Sequence, residues 1–161
     1  MVKKPLKRSE NLKVLSQEHH LSLLFCWKIR QGLKADVAVE RISKYVGYFW
    51  QQHLQPHFQE EEMILFAPLS DSQVQRALNE HKHIRKQVED LAGNSGDSAR
   101  KRLAELADMV DSHVRYEERD LFPHLERKLS KEQLENIGQQ IKKHHPSSLP
   151  DQYEDQFWNL K

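Results

Sequence analysis

Apolar side chains recur along the chain at steps of three and four, the spacing that keeps one face of an α-helix against a core. Between residues 11 and 33 the stripe reads Leu12, Leu15, Cys26, Ile29 and Leu33, with His19 set into it four residues after Leu15. A second stripe runs Val39, Ile42, Val46 and Phe49, then turns polar at His53, His57 and Glu61 before Ile64 and Leu65. The third reads Val74, Leu78, His81, Ile84, Val88 and Leu91, and the fourth Leu103, Leu106, Val110, His113, Glu117 and Leu121. Four amphipathic helices are predicted, each with a histidine where an ordinary bundle would carry Leu.

The breaks between stripes suit helix ends. Asp36 reads as the N-cap of the second helix, and residues 67–72 (Ala-Pro-Leu-Ser-Asp-Ser) end it and cap the third. Gly93-Asn94-Ser95-Gly96-Asp97 is a loop, with Asp97 as the expected cap of the fourth helix. Pro56 falls inside the second stripe, where it removes a backbone hydrogen bond and predicts a kink just before His57. Gly47 weakens the same helix by about 1 kcal/mol relative to Ala. Ser130-Lys131-Glu132-Gln133 fits a capping box that opens a short fifth helix near 131–143. Beyond it periodicity is lost until Phe157 and Trp158, which are expected to pack back on the bundle. Short loops favour antiparallel neighbours. The expected fold is all-α, an up-down-up-down four-helix bundle over 11–128, with a basic N-terminal tail at 1–10 and a short helix and C-terminal tail at 129–161.

Composition agrees and narrows the function. In 161 residues, 37% hydrophobic and 30% charged, with 5 Gly and 6 Pro, suits helices with one buried stripe rather than a doubly covered sheet. A net charge of +1, from 25 basic and 24 acidic residues, gives no electrostatic case for nucleic acid or an anionic membrane. The basic start (Lys3, Lys4, Lys7, Arg8) reads as a solvated tail. No apolar run approaches the roughly 18 residues of a membrane span or the pattern of a signal peptide, so a cytoplasmic location is expected. Cys26, the single cysteine, excludes an internal disulfide and a thiolate cluster from one chain, and reads as a small core residue.

The ten histidines are the anomaly, and their spacing gives it meaning. The block His57-x3-Glu61-Glu62-x2-Leu65-Phe66 recurs as His113-x3-Glu117-Glu118-x2-Leu121-Phe122, each with a Pro within two residues. Positions i and i+4 share a helix face, so each block presents a histidine and a carboxylate together. His20 lies about 100° round the helix from His19, in line with Leu24 and Trp27, so His19 is the inward one. Four buried imidazoles and two buried carboxylates without a partner would cost on the order of 1–3 kcal/mol each, a sum rivalling the stability of a domain. A bound cation satisfies all of them together. Imidazole and carboxylate without thiolate suit iron, manganese or zinc, and two Glu side chains can each bridge a pair of ions. Six donors exceed one tetrahedral zinc and favour two irons. A ferritin-like arrangement needs Glu-x-x-His on two helices, and Glu80 with His83 is the one such spacing.

Residues 15–20 (Leu-Ser-Gln-Glu-His-His), the doubled His-x3-Glu-Glu block, Glu80-His81 and Leu121-Phe122-Pro123 resemble the hemerythrin-like, His-His-Glu cation-binding domains, over about residues 10–128. The resemblance implies a four-helix bundle around a non-haem di-iron centre with carboxylate bridges, where O2, peroxide or NO meets the iron. Carried over by position, the ligands are His19, His57, Glu61, His81, His113 and Glu117. Two positions depart from the oxygen carriers: Arg85 stands where they have a second histidine on the third helix, and Glu118 where they have an Asp. His53 either supplies a fifth imidazole or bonds a backbone carbonyl near Pro56, and His83, His124, His144 and His145 read as surface residues.

The expectation is a di-iron binding protein that binds or senses a small oxidant (O2, NO or peroxide) or handles iron, with no enzymatic role indicated and no protein partner named by the sequence. A di-iron oxidase or peroxidase is one alternative, and a zinc-binding or metal-free helical interaction module another.

Overall fold

The computed structural model describes residues 8–144 and 149–159, and among them there is no strand. After a short 3-10 turn at Glu10–Leu12, helix α1 spans Lys13–Lys34. Helix α2 covers residues 39–65, α3 is Ser72–Leu91, α4 covers residues 96–128, and α5 is Lys131–His144. The first four form the antiparallel bundle, with α1 against α4 and α2, and α3 against α4. Helix α5 packs on the Glu10–Leu12 turn and on the last turn of α2.

Two long helices change register inside their length. In α2, α-helical Val39–Phe49 and Gln55–Glu60 alternate with π segments at Trp50–Leu54 and Glu61–Leu65. Helix α4 passes from Gly96–Tyr116 through a π segment at Glu117–Leu121 into Phe122–Lys128. At Pro56, where a kink is expected, the backbone stays helical, and the π segment before it hands Gln55 N–H to Trp50 C=O, one residue wider than the α pattern. Pro123 likewise follows a π segment. Since Pro has no N–H to give the carbonyl four residues back, a widened turn there costs little.

Two of the expected caps are different. Asp36 is not an N-cap: its φ of 57° puts it in the left-handed turn that leaves α1, which Asp tolerates better than most residues, and Ala38 precedes α2. Asp97 lies within the first turn of α4, and Ser95 holds the cap position. Asp71 caps α3 through Val74 N–H at 3.1 Å. The capping box forms reciprocally, with Gln133 N–H donating to Ser130 Oγ at 3.0 Å and Ser130 N–H to Gln133 Oε1 at 2.9 Å.

The buried apolar side chains form two clusters. One fills the end where Phe25, Ile42, Phe49 and Leu106 meet, together with Cys26, whose thiol burial pushes up to about 12. The other gathers Leu12, Leu15, Leu65, Val74, Leu121 and Phe122 with Ile137 and Ile141 of α5. The tail returns to the first cluster as expected: Phe157 is buried, and a Cβ at Gly32 would stand 2.8 Å from its ring. Lys28 and Tyr45 both bond Asp151 Oδ2, and Lys28 Nζ lies 4.1 Å from the Trp158 ring. On every bundle helix the candidate ligands fall between residues of one cluster and residues of the other, so a polar layer divides the core.

Candidate metal centre

Helical spacing carries the six sequence-identified residues into that layer from four directions. Leu15 and Cys26 face inward on α1 and bring His19 with them, while His20 is exposed. His57 and Glu61 lie one turn apart on α2, as do His113 and Glu117 on α4, and His81 comes from α3 between Ala77 and Ile84. All six are at most 2% exposed.

Their donor atoms form two quartets, His19, His57, Glu61 and Glu117, and Glu61, His81, His113 and Glu117, with the atoms of each within 4.8 Å of one another. Glu61 and Glu117 belong to both. Within the layer every imidazole turns Nε2 inward. His19 Nε2 lies 2.8 Å from Glu117 Oε1 and 3.6 Å from Glu61 Oε2, and His57 Nε2 3.3 Å from Glu61 Oε2. His81 Nε2 lies 3.1 Å from Glu61 Oε1 and 3.6 Å from Glu117 Oε2, and His113 Nε2 3.3 Å from Glu117 Oε2.

Of these contacts, the one between His19 and Glu117 is a well-formed hydrogen bond. Nε2 of His57, His81 and His113, both oxygens of Glu61, and Oε2 of Glu117 are buried with no hydrogen-bond partner. Such atoms are costly to orphan, and a cation accepts lone pairs from imidazole and carboxylate together. Donors bound about 2.1 Å from a common ion stand about 3 Å apart when adjacent, close to the spacings found. The residues fit a metal.

The electrostatics without an ion point the same way. Burial alone would depress the imidazoles, yet Glu117, Glu118 and Glu61 hold His19 well above its ordinary value, and the charge of Glu61 with the Glu18 hydrogen bond takes His57 to about 9. His81 and His113 are raised by the same carboxylates against the same burial. Burial and the neighbouring Glu117 would raise Glu61, but His57 and His19 bring it down to about 2, and Glu117 is held well below the carboxylate range. Protons on the imidazoles stand in for the cation the site is built to take.

Sequence reasoning missed a second set of residues. Each imidazole gives its outer nitrogen to a carboxylate on another helix: His19 Nδ1 to Glu118 at 2.7 Å, His57 Nδ1 to Glu18 at 3.0 Å, His81 Nδ1 to Glu62 at 2.7 Å, and His113 Nδ1 to Glu80 at 2.7 Å. The available signal was a Glu directly beside an inner ligand on all four helices: Glu18-His19, Glu61-Glu62, Glu80-His81 and Glu117-Glu118. Arg8 Nη2 approaches Glu118 Oε1 at 3.5 Å and Ser16 Oγ donates to Glu118 Oε2 at 2.9 Å, while Arg76 Nε bonds Glu80 Oε2 at 3.1 Å.

Other histidines stay outside the quartets. His53 lies tilted on Phe49 and edge-on to Tyr48, with centroids 5.0 and 5.9 Å away. His83 and His144 are exposed, and His145 lies outside the described residues. His124 is not a surface residue: it is 8% exposed and its Nε2 meets Asp71 Oδ2 at 2.7 Å, linking α4 to the cap of α3. Arg85, at the position of the carriers' extra histidine, is half-buried 5.9 Å from the Trp50 ring.

No curated protein and no solved structure gives a match to the chain. The family model described as the hemerythrin HHE cation binding domain matches residues 10–125 and, in a second, overlapping match, residues 79–146. The chain belongs to the hemerythrin family of HHE cation-binding domains.

Proposed function

We propose that the centre holds two non-haem irons and that the protein binds or senses a small oxidant or gas, such as O2, NO or peroxide, in the cytoplasm. The sharing of Glu61 and Glu117 between both quartets carries this reading, because a carboxylate with two free oxygens in two donor sets suits a bridge between ions. Charge supports a cation: Glu61 and Glu117 are fully buried, and the ion-pair partners they show among the described residues are imidazoles, which are neutral in the form that binds a metal. Burial supports a small ligand, since donors at most 2% exposed present no open face to a large substrate. When bound, iron would supply open coordination positions and reversible electron transfer. The chain's own residues supply fixed imidazole lone pairs, paired carboxylates and an apolar collar above and below.

The test is metal content per chain of protein produced with iron, together with its absorption spectrum before and after reduction and after exposure to NO. Two irons and a charge-transfer band that bleaches on reduction and shifts with NO are expected. A colourless, zinc-loaded or metal-free protein would overturn the proposal in favour of an interaction module. Rapid turnover of peroxide or O2 would replace it with an oxidase or peroxidase.

A further inference from the structure

The outer carboxylates do more than satisfy four N–H groups, because their pattern is directional. Each is the sequence neighbour of an inner ligand and is therefore rotated about 100° away from the centre, toward the next helix. Glu18 of α1 reaches His57 of α2, Glu62 of α2 reaches His81 of α3, Glu80 of α3 reaches His113 of α4, and Glu118 of α4 returns to His19 of α1. The links run in one rotational sense and close into a ring. They also divide cleanly: Glu118 and Glu18 hold the imidazoles of the first quartet, Glu62 and Glu80 those of the second.

A neutral imidazole has one N–H, and a metal takes the lone pair of the nitrogen that lacks it. Carboxylates at 2.7–3.0 Å from all four Nδ1 atoms fix the proton there and leave Nε2 open toward the centre. We infer that the four are position-specific positioning residues, Glu18 and Glu118 setting the ion position bounded by His19 and His57, and Glu62 and Glu80 the position bounded by His81 and His113. This rests on the two-ion reading above. Glu62 is the informative member. Its side chain is 31% exposed and, unlike Glu118 and Glu80, meets no Arg among the described residues, while its imidazole is also oriented by Phe58, stacked on His81 with centroids 3.8 Å apart. Losing Glu62 therefore leaves the Nδ1–H of His81 without its acceptor and does not free the ring.

The experiment compares wild type, Glu62→Ala, Glu62→Gln and Glu118→Ala in the full chain, titrated with Fe(II) under anaerobic conditions, and reads imidazole nitrogen shifts on the zinc-loaded, diamagnetic proteins. The expected result is that Glu62→Ala loses 10- to 100-fold in affinity at one of two positions, the range seen when a ligand's hydrogen-bond partner is removed. In the zinc-loaded protein His81 keeps its Nδ1–H, the neutral form that leaves Nε2 to the metal, but that N–H has lost its carboxylate acceptor, so the Nδ1 shift of His81 alone moves. Glu62→Gln, which keeps an acceptor oxygen, restores that shift and most of the affinity, a rescue that a purely structural role would not give. Glu118→Ala should show the same at the other position, with His19 changed in place of His81. Equal weakening of both positions by either variant, or an unchanged His81 in Glu62→Ala, would overturn the inference. A wild-type chain that takes up a single ion would refute the two-ion reading instead, and the nitrogen shifts would still decide whether each Glu fixes its own histidine.

Discussion

Metal removal should make the bundle's stability fall as pH rises from 6.5 to 9, a fall that the loaded protein does not show. Without an ion, His57 titrates near 9 in the folded chain, because Glu61 and Glu18 outweigh the cost of its burial, against 6.5 for the free side chain. A raised folded-state value contributes stability that is fully present below 6.5 and is lost as pH rises through 9. At 1.36 kcal/mol per unit, His57 alone contributes about 3 kcal/mol that disappears across that window. For a domain of this size that is roughly 10 °C in melting temperature. An ion that takes the Nε2 lone pair leaves no proton to lose, so the loaded protein should show no such fall. The same proton opposes loading: at pH 7.5, about 1.5 units below 9, competition weakens apparent affinity roughly 30-fold and loading releases a proton from His57. Thermal melts by circular dichroism from pH 6 to 9.5, with chelator and with metal, give both curves. A metal-free melting temperature that stays level or climbs between pH 6.5 and 9 would show that the imidazoles are not paired with the carboxylates as described.

Replacing Glu61 or Glu117 with Ala should lower occupancy at both ion positions, since each serves both quartets; a double variant that still retains two ions by elemental analysis would exclude bridging. His19→Ala should lose metal while His20→Ala keeps it, because His19 is 2% exposed and His20 faces solvent, and the opposite result would mean a first helix rotated by one residue. Gly32→Ala places a methyl 2.8 Å from the Phe157 ring and 3.0 Å from Ile42 Cδ1. It should cost about 1–3 kcal/mol by overpacking and shift the fluorescence of the neighbouring Trp158. Unchanged melting and emission would show that the tail does not seat there in solution.

The inner ligands were legible because they obey a rule within one helix: His57 with Glu61, and His113 with Glu117, are i, i+4 pairs inside apolar stripes. The outer carboxylates obey a rule between helices, which no single-helix period contains. Glu62 looks like a solvated neighbour of Glu61 until α3 is placed beside it. The π segments were hidden for another reason: a single i→i−5 turn shifts the stripe by one residue, within the scatter of any apolar pattern, so Pro56 could only be read as a kink. His124 was misjudged because its partner Asp71 lies 53 residues away. Asp36 was misjudged because Asp favours caps and left-handed turns alike, and the choice depends on how α1 ends.

The ring of outer carboxylates has a consequence for the order in which the chain assembles. Three of its links join residues 39, 19 and 33 positions apart, while the fourth, Glu118 with His19, spans 99. Loop closure costs grow with the logarithm of length, so this last link carries about 1.5 kcal/mol more chain entropy than the shortest. It can form only once α4 exists and has returned to α1. A nascent chain that has emerged through α3 already carries His19, His57, Glu61 and His81 but lacks Glu117, which belongs to both donor quartets, and the clasp on His19. The closed cation site is therefore complete only when the bundle is, and a chain interrupted before Glu118 has no such enclosure to hold an ion.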